Sequence, residues 1–209
     1  MATQQKIKIT KILSLAVSVA GIVVITGWIF DIGVLKSTSP GWVSMKLSTA
    51  FTFLLSGISL YFIARAREGK PDLAQLALST ASLIIVLIMG TLFFSSLLGV
   101  HTGVEELFIK EKGSPAQSVI PGLPSVPTMF NFLLMAFSGI LVVLNVENLQ
   151  KKLPITGFII GSIGALAVFG YVINAPLLYY YIKDINSAMA CHTAILFVLM
   201  GAGLVCLSG

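Results

Sequence analysis

His101 and His192 are the two histidines of this 209-residue chain, and His192 stands in the string Met189-Ala-Cys191-His192-Thr193. A thioether, a thiol and an imidazole so close in sequence are soft donors of the kind that suit Cu(I), which makes His101, Cys191 and His192 a candidate metal set. The same two histidines are the pair available to ligate a haem b. The plainer reading is an interfacial histidine beside a small apolar filler, with no metal held. Adding the polar and thioether groups expected at the same level gives seven candidate ligand-binding residues: Met45, Thr49, His101, Glu105, Met189, His192 and Thr193. Glu105 and Glu106 read equally well as a solvated acidic face. Hydrolytic chemistry has no carrier, since there is no His-Glu-x-x-His, no nucleophile elbow and no Gly-rich phosphate loop. An enzyme is therefore not expected.

The elements that must position these residues show a repeat. Met189, Thr193, Phe197 and Gly201 are spaced four apart and form one slowly drifting stripe on a helix. The same types at the same spacing stand at Met45, Thr49, Phe53 and Gly57, and a weaker copy at Pro124, Thr128, Phe132 and Ala136. Three copies imply an internal repeat. In the plain reading the stripes are packing devices, with Gly57, Ala136 and Gly201 letting backbones approach. Gly157 and Gly161 carry the same small-residue pattern, as do Ser14, Ser18 and Gly21. In the functional reading the starts of the stripes line a shallow pocket.

Composition fixes the class. The chain is 56% hydrophobic and 10% charged, with a mean hydropathy of +0.99, far from a soluble average. Six apolar segments, near 10–31, 48–65, 73–98, 128–147, 153–175 and 189–208, are each about long enough to cross a ~30 Å hydrocarbon core as helix. The expected fold is an all-α integral membrane protein, one domain over 1–209. Its six transmembrane helices pair into three parallel hairpin repeats, about 10–65, 73–147 and 153–208. Parallel repeats set it apart from the inverted repeats common in transporters. Few ionisable residues fall within the segments, and none reads as a buried acid or base, which weakens a proton-coupled transporter or pump. A small-solute transporter or channel nevertheless stays as an alternative.

Charge sets the orientation. Lys6, Lys8, Lys11, Arg65, Arg67, Lys70, Lys151 and Lys152 share one side with Glu68, Asp72 and Glu147, whereas the other side carries as many acids as lysines. The positive-inside rule then puts both termini in the cytoplasm of a cell-membrane protein. The net charge of +5 speaks to anionic lipid rather than nucleic acid, which is not an expected partner. The extracytoplasmic stretch 99–127 is the longest connection, a length usually functional or disordered. Within it Gly103 to Lys112 reads as a short amphipathic surface helix. Trp28 and the Tyr179-Tyr180-Tyr181 triplet read as interface aromatics, and Asp31 as a solvated or capping acid.

The strings Pro40-Gly-Trp-Val-Ser-Met45-Lys-Leu-Ser-Thr49-Ala and Met189-Ala-Cys-His-Thr193-Ala, with Gly27-Trp-Ile-Phe-Asp-Ile and Pro124-Ser-Val-Pro-Thr-Met-Phe-Asn-Phe, carry a resemblance over nearly the whole chain. It resembles the multi-pass membrane input domains found ahead of PAS, histidine-kinase and diguanylate-cyclase modules in prokaryotic signalling proteins. That resemblance implies a signal-sensing module, coupled through its last helix to a cytoplasmic signalling domain or to a partner kinase, and working as a homodimer. A weaker similarity is to the MHYT sensor family, which also has six helices and proposed metal ligands, although the full Met-His-Tyr-Thr string is absent here.

Overall fold

A computed structural model describes residues 2–39, 42–69, 71–100, 103–104, 121–183 and 186–208. These residues are all-helical: α1 (Ala2–Ile29), a short α2 (Gly33–Lys36), α3 (Leu47–Ala66), and α4 (Pro71–Ile85), which runs through a π turn (Val86–Gly90) into α5 (Thr91–Leu98). After them come α6 (Val126–Val143), α7 (Leu149–Val172), a 3-10 turn (Pro176–Tyr179) and α8 (Cys191–Cys206). Among the described residues the strand-type pairing is one isolated bridge, Ile182 with Asn186.

Five stretches, Gln4–Ile29, Leu47–Ala66, Leu73–Leu98, Val126–Val143 and Leu149–Val172, are long and apolar enough to cross a bilayer. The chain is a multi-pass membrane protein. The last segment differs from expectation, because α8 has 16 residues. At 1.5 Å per residue that is ~24 Å, short of a ~30 Å core. Met189, expected on the helix, instead lies in an extended lead-in with Ser187, Ala188 and Ala190, all buried. Met45 also precedes its helix, in an extended run over 43–46 of which Val43, Met45 and Lys46 are buried, as Pro124 precedes α6. The three lead-ins end in the same backbone geometry. Lys46 has φ −67 and ψ 150, Ser125 −65 and 150, and Ala190 −61 and 145. Other boundaries move by a few residues. The tail before Lys11, expected as polar and interfacial, is already helical from Ala2.

Burial separates two kinds of helix. In α3 and α6, 61% and 50% of the most apolar stretch is buried, against 28% to 33% in α1, α4–α5 and α7. Half of α8 is buried as well, so α3, α6 and α8 are the inner helices. Each peripheral helix touches two inner ones: α1 packs on α3 and α8, α4 on α3 and α6, and α7 on α6 and α8. Phe53, Phe132 and Phe197, one from each inner helix and each fully buried, meet in the middle. Their ring centroids are 4.7, 4.9 and 5.0 Å apart, within the range of favourable aromatic pairs. The third residue of every stripe therefore converges on one contact.

The small residues work as expected in most places. A Cβ on Gly201 would stand 2.5 Å from the Gly157 carbonyl oxygen, and one on Gly57 2.7 Å from that of Ser14. Gly157 is equally tight against Gly201 and Leu204, and Ala136 is fully buried. Gly161 has more room, its nearest neighbour being the Gly201 Cα at 3.7 Å.

One end of the bundle gathers the basic residues. Lys6 Nζ donates to the Ser208 carbonyl at 3.3 Å, joining the start of α1 to the end of α8. Lys11 Nζ lies 2.7 Å from Glu68, just past α3. The opposite end carries the loops from which the inner helices begin.

Candidate functional site

At this loop end the peripheral helices stop in a common way. Asp31, Gly99 and Asn174 take positive φ of 56°, 63° and 55°. The next N–H closes back on the carbonyl five residues earlier: Ile32 on Gly27 at 2.8 Å, Val100 on Ser95 at 3.1 Å, and Ala175 on Gly170 at 2.8 Å. This left-handed close satisfies carbonyls that a helix C-terminus leaves open. Between α5 and α6 the accepting carbonyl belongs to Ser95, where the other two helices use a glycine.

The lead-ins to α3 and α8 are then held by matching bonds. Trp28 Nε1 donates to the Met45 carbonyl at 2.9 Å, and Tyr171 Oη donates to the Met189 carbonyl at 2.8 Å. The Met45 N–H donates to the Lys36 carbonyl at 2.8 Å, and the Met189 N–H to the Tyr179 carbonyl at 2.9 Å. Buried backbone groups need such partners. Here the partners come from the end of the peripheral helix and the turn after it, so each methionine backbone is bonded on both sides.

The loops also reach across hairpins. Thr38 Oγ1 lies 3.4 Å from His192 Nδ1, and the Trp42 ring sits 4.7 Å from that of Tyr171. Tyr171 in turn stacks on Tyr179 at 4.2 Å. Asn186 Oδ1 accepts from the Val126 N–H at 3.2 Å, at the first turn of α6. The start of an inner helix is thus touched by its own lead-in and by the loop of another hairpin.

The tyrosine triplet is not the outward belt that the sequence suggests. Tyr179 is buried, and Tyr180 turns inward to donate to the Ile163 carbonyl at 3.0 Å. Burial raises the Tyr180 phenol above its ordinary range, which keeps it protonated and donating. Trp28 is likewise half-buried and bonded inward, with the Lys36 ammonium 4.8 Å from its ring centroid. Lys36 also pairs with Asp31.

Of the seven candidate residues, Met45, Thr49, Met189 and Thr193 are buried at the starts of α3 and α8. The two threonines lie one turn before the phenylalanine contact, and their hairpins carry the matching bonds. His192 is half-buried, and its Nε2 has no hydrogen-bond partner among the described residues. His101 and Glu105 lie outside the described residues, as does most of the amphipathic stretch expected after Gly103. Cys191 and Cys206 are free thiols at opposite ends of α8. No group of three His, Cys, Asp or Glu among the described residues is arranged to hold a metal ion.

Sequence reasoning missed Lys46 and Tyr171. Lys46 is 4% exposed at the N-cap of α3, near the buried Ser48. Burial of a lysine in an apolar bundle is costly and usually marks a working position. Tyr171 stands at the end of α7, and its bond to Met189 is what reveals its role. The pattern Trp28–Met45 and Tyr171–Met189, an aromatic donor before a stripe methionine, is the signal that was there to be found. No family model, curated protein or solved structure matches this chain.

Proposed function

We propose that the chain is a membrane-embedded input module that senses at its loop end and transmits through α8. In this reading six helices cross the bilayer as three parallel hairpins, α1/α3, α4–α5/α6 and α7/α8, around a pseudo-threefold axis through the three phenylalanines. The buried lead-in makes up the length that α8 lacks, since four extended residues add ~13 Å. The basic end faces the cytoplasm by the positive-inside rule, which puts both termini there in the plasma membrane.

The observation that carries the reading is the pair of bonds on Met189. Tyr171 and Tyr179 belong to the loop end, and Met189 leads directly into α8, which runs to the basic end. Loop-end occupancy that favours one arrangement of these bonds over another shifts α8, which is a population shift and requires differential affinity. A kinase or cyclase domain, on the same chain or as a partner, reads the shift, and a homodimer sets two α8 helices to act together. The resemblance to prokaryotic input domains agrees with this arrangement. A chimera tests it: a diguanylate cyclase joined after Gly209, with output measured in membranes for the native sequence and for Tyr171→Phe. The substitution is expected to change output severalfold at equal expression. Equal output, together with equal output after Met189→Ala, contradicts it.

One observation favours a second reading, a haem- or copper-binding protein using His101 and His192: the unpartnered Nε2 of His192. A visible spectrum and metal analysis of protein made under cofactor-replete conditions separate the two. A Soret band or stoichiometric copper, lost in His192→Ala, would decide for the cofactor.

A further inference from the structure

Because α3 is recessed between α1 and α4, its outward strip forms the floor of a trough in the basic half of the molecule. On one side, against α1, lies an apolar cavity of about 480 Å³ walled by Ile12, Leu15 and Tyr61, with Lys8 and Lys11 at its mouth. On the other side, against α4, lies a second cavity of about 370 Å³ walled by Leu55, Leu73, Leu76 and Ala77. Ile58 and Phe62 line both, so they form a ridge that divides the trough lengthwise.

The charge at the mouth is specific. Lys11 Nζ is 2.7 Å from both carboxylate oxygens of Glu68 and 5.5 Å from the centroid of Tyr61, so an oxyanion is already held at this point. Lys8 is exposed on the same face, one turn nearer the helix start. Arg65 and Arg67 close α3 at the same end. Two apolar cavities side by side, one of them with two lysines at its mouth, match one chemistry: two acyl chains joined to one anionic head.

We propose that the trough along α3 holds a two-chain anionic phospholipid, its phosphate on Lys8 and Lys11 and one acyl chain on each side of the Ile58/Phe62 ridge. The phosphate takes Lys11 from Glu68 and frees the turn after α3. The inference is independent of the sensing role, and it needs only that the basic end sits at headgroup level.

Native mass spectrometry of the full chain in non-ionic detergent tests it, with phosphatidylglycerol, phosphatidylcholine and lysophosphatidylglycerol added in turn. One phosphatidylglycerol is expected to be retained about tenfold more strongly than phosphatidylcholine, an advantage that Lys8→Gln/Lys11→Gln removes. Lys8→Gln alone, which leaves the Glu68 pair intact, is expected to lose part of it. Ala77→Phe fills the α4-side channel from the lipid face and is expected to weaken two-chain phosphatidylglycerol while leaving the single-chain form unchanged. Equal retention of the anionic and zwitterionic lipids overturns the proposal. So does a preference that survives the double lysine substitution, an Ala77→Phe effect equal for one and two chains, or a lipid-free dimer that buries the trough.

Discussion

Tyr171 and Trp28 do the same work at equivalent places with different chemistry, a phenol and an indole each donating to a methionine carbonyl. Removing the Tyr171 hydroxyl leaves the Met189 carbonyl without its side-chain donor at a buried site. Tyr171→Phe is expected to cost about 1 kcal/mol, the usual net value of one hydrogen bond. Thermal or denaturant unfolding in detergent measures it, and Tyr61→Phe, on an exposed ring, is the matched control expected to cost less. At this scale the sequence was legible in part. Stripe residues declared themselves through periodicity, and Met45, Thr49, Met189 and Thr193 are indeed buried together with their helices' starts. The burial of Lys46 and the inward turn of Tyr179 and Tyr180 were not legible. Both depend on which backbone groups lie nearby in space, and residue type alone favours the membrane surface for each.

Helix contacts depend on where a Cβ would point, and this separates glycines that look alike in sequence. Gly157 and Gly161 share a face by spacing, yet Gly201 presses its backbone on Gly157 and leaves ordinary contact distance at Gly161. Gly201→Ala forces α7 and α8 apart and is expected to destabilise by about 1–3 kcal/mol, the usual range for overpacking. Gly161→Ala is expected to stay within about 0.5 kcal/mol. Comparing the two melting curves in the same detergent checks the ordering, and equal losses would mean that the interface is looser than described. Apolar runs made the five long helices readable from composition. The starts of α3, α6 and α8 fall within two residues of the apolar runs that mark them, but the conformation of the residues just before each helix was not legible from residue type. Only the backbone geometry of Lys46, Ser125 and Ala190 shows that the chain enters extended.

For the whole molecule, the cyclic pattern of helix contacts and the three converging phenylalanines join the inner and peripheral helices around one centre, and α8 runs from the loop end to the basic end. The central claim is that the bonds on Met189 and the basic end of α8 form one coupled unit. Cys206 places a native thiol at that end. With Cys191→Ser removing the other thiol and Glu147→Cys adding a label site on the exposed turn after α6, a spin-label distance distribution reports where α8 ends. Measured in bilayers in this background with and without Tyr171→Phe, the distribution is expected to shift or to gain a second population when the bond is lost. A distribution unchanged by Tyr171→Phe, and unchanged again by Met189→Ala, would contradict the account, because the loop end and α8 would then move independently.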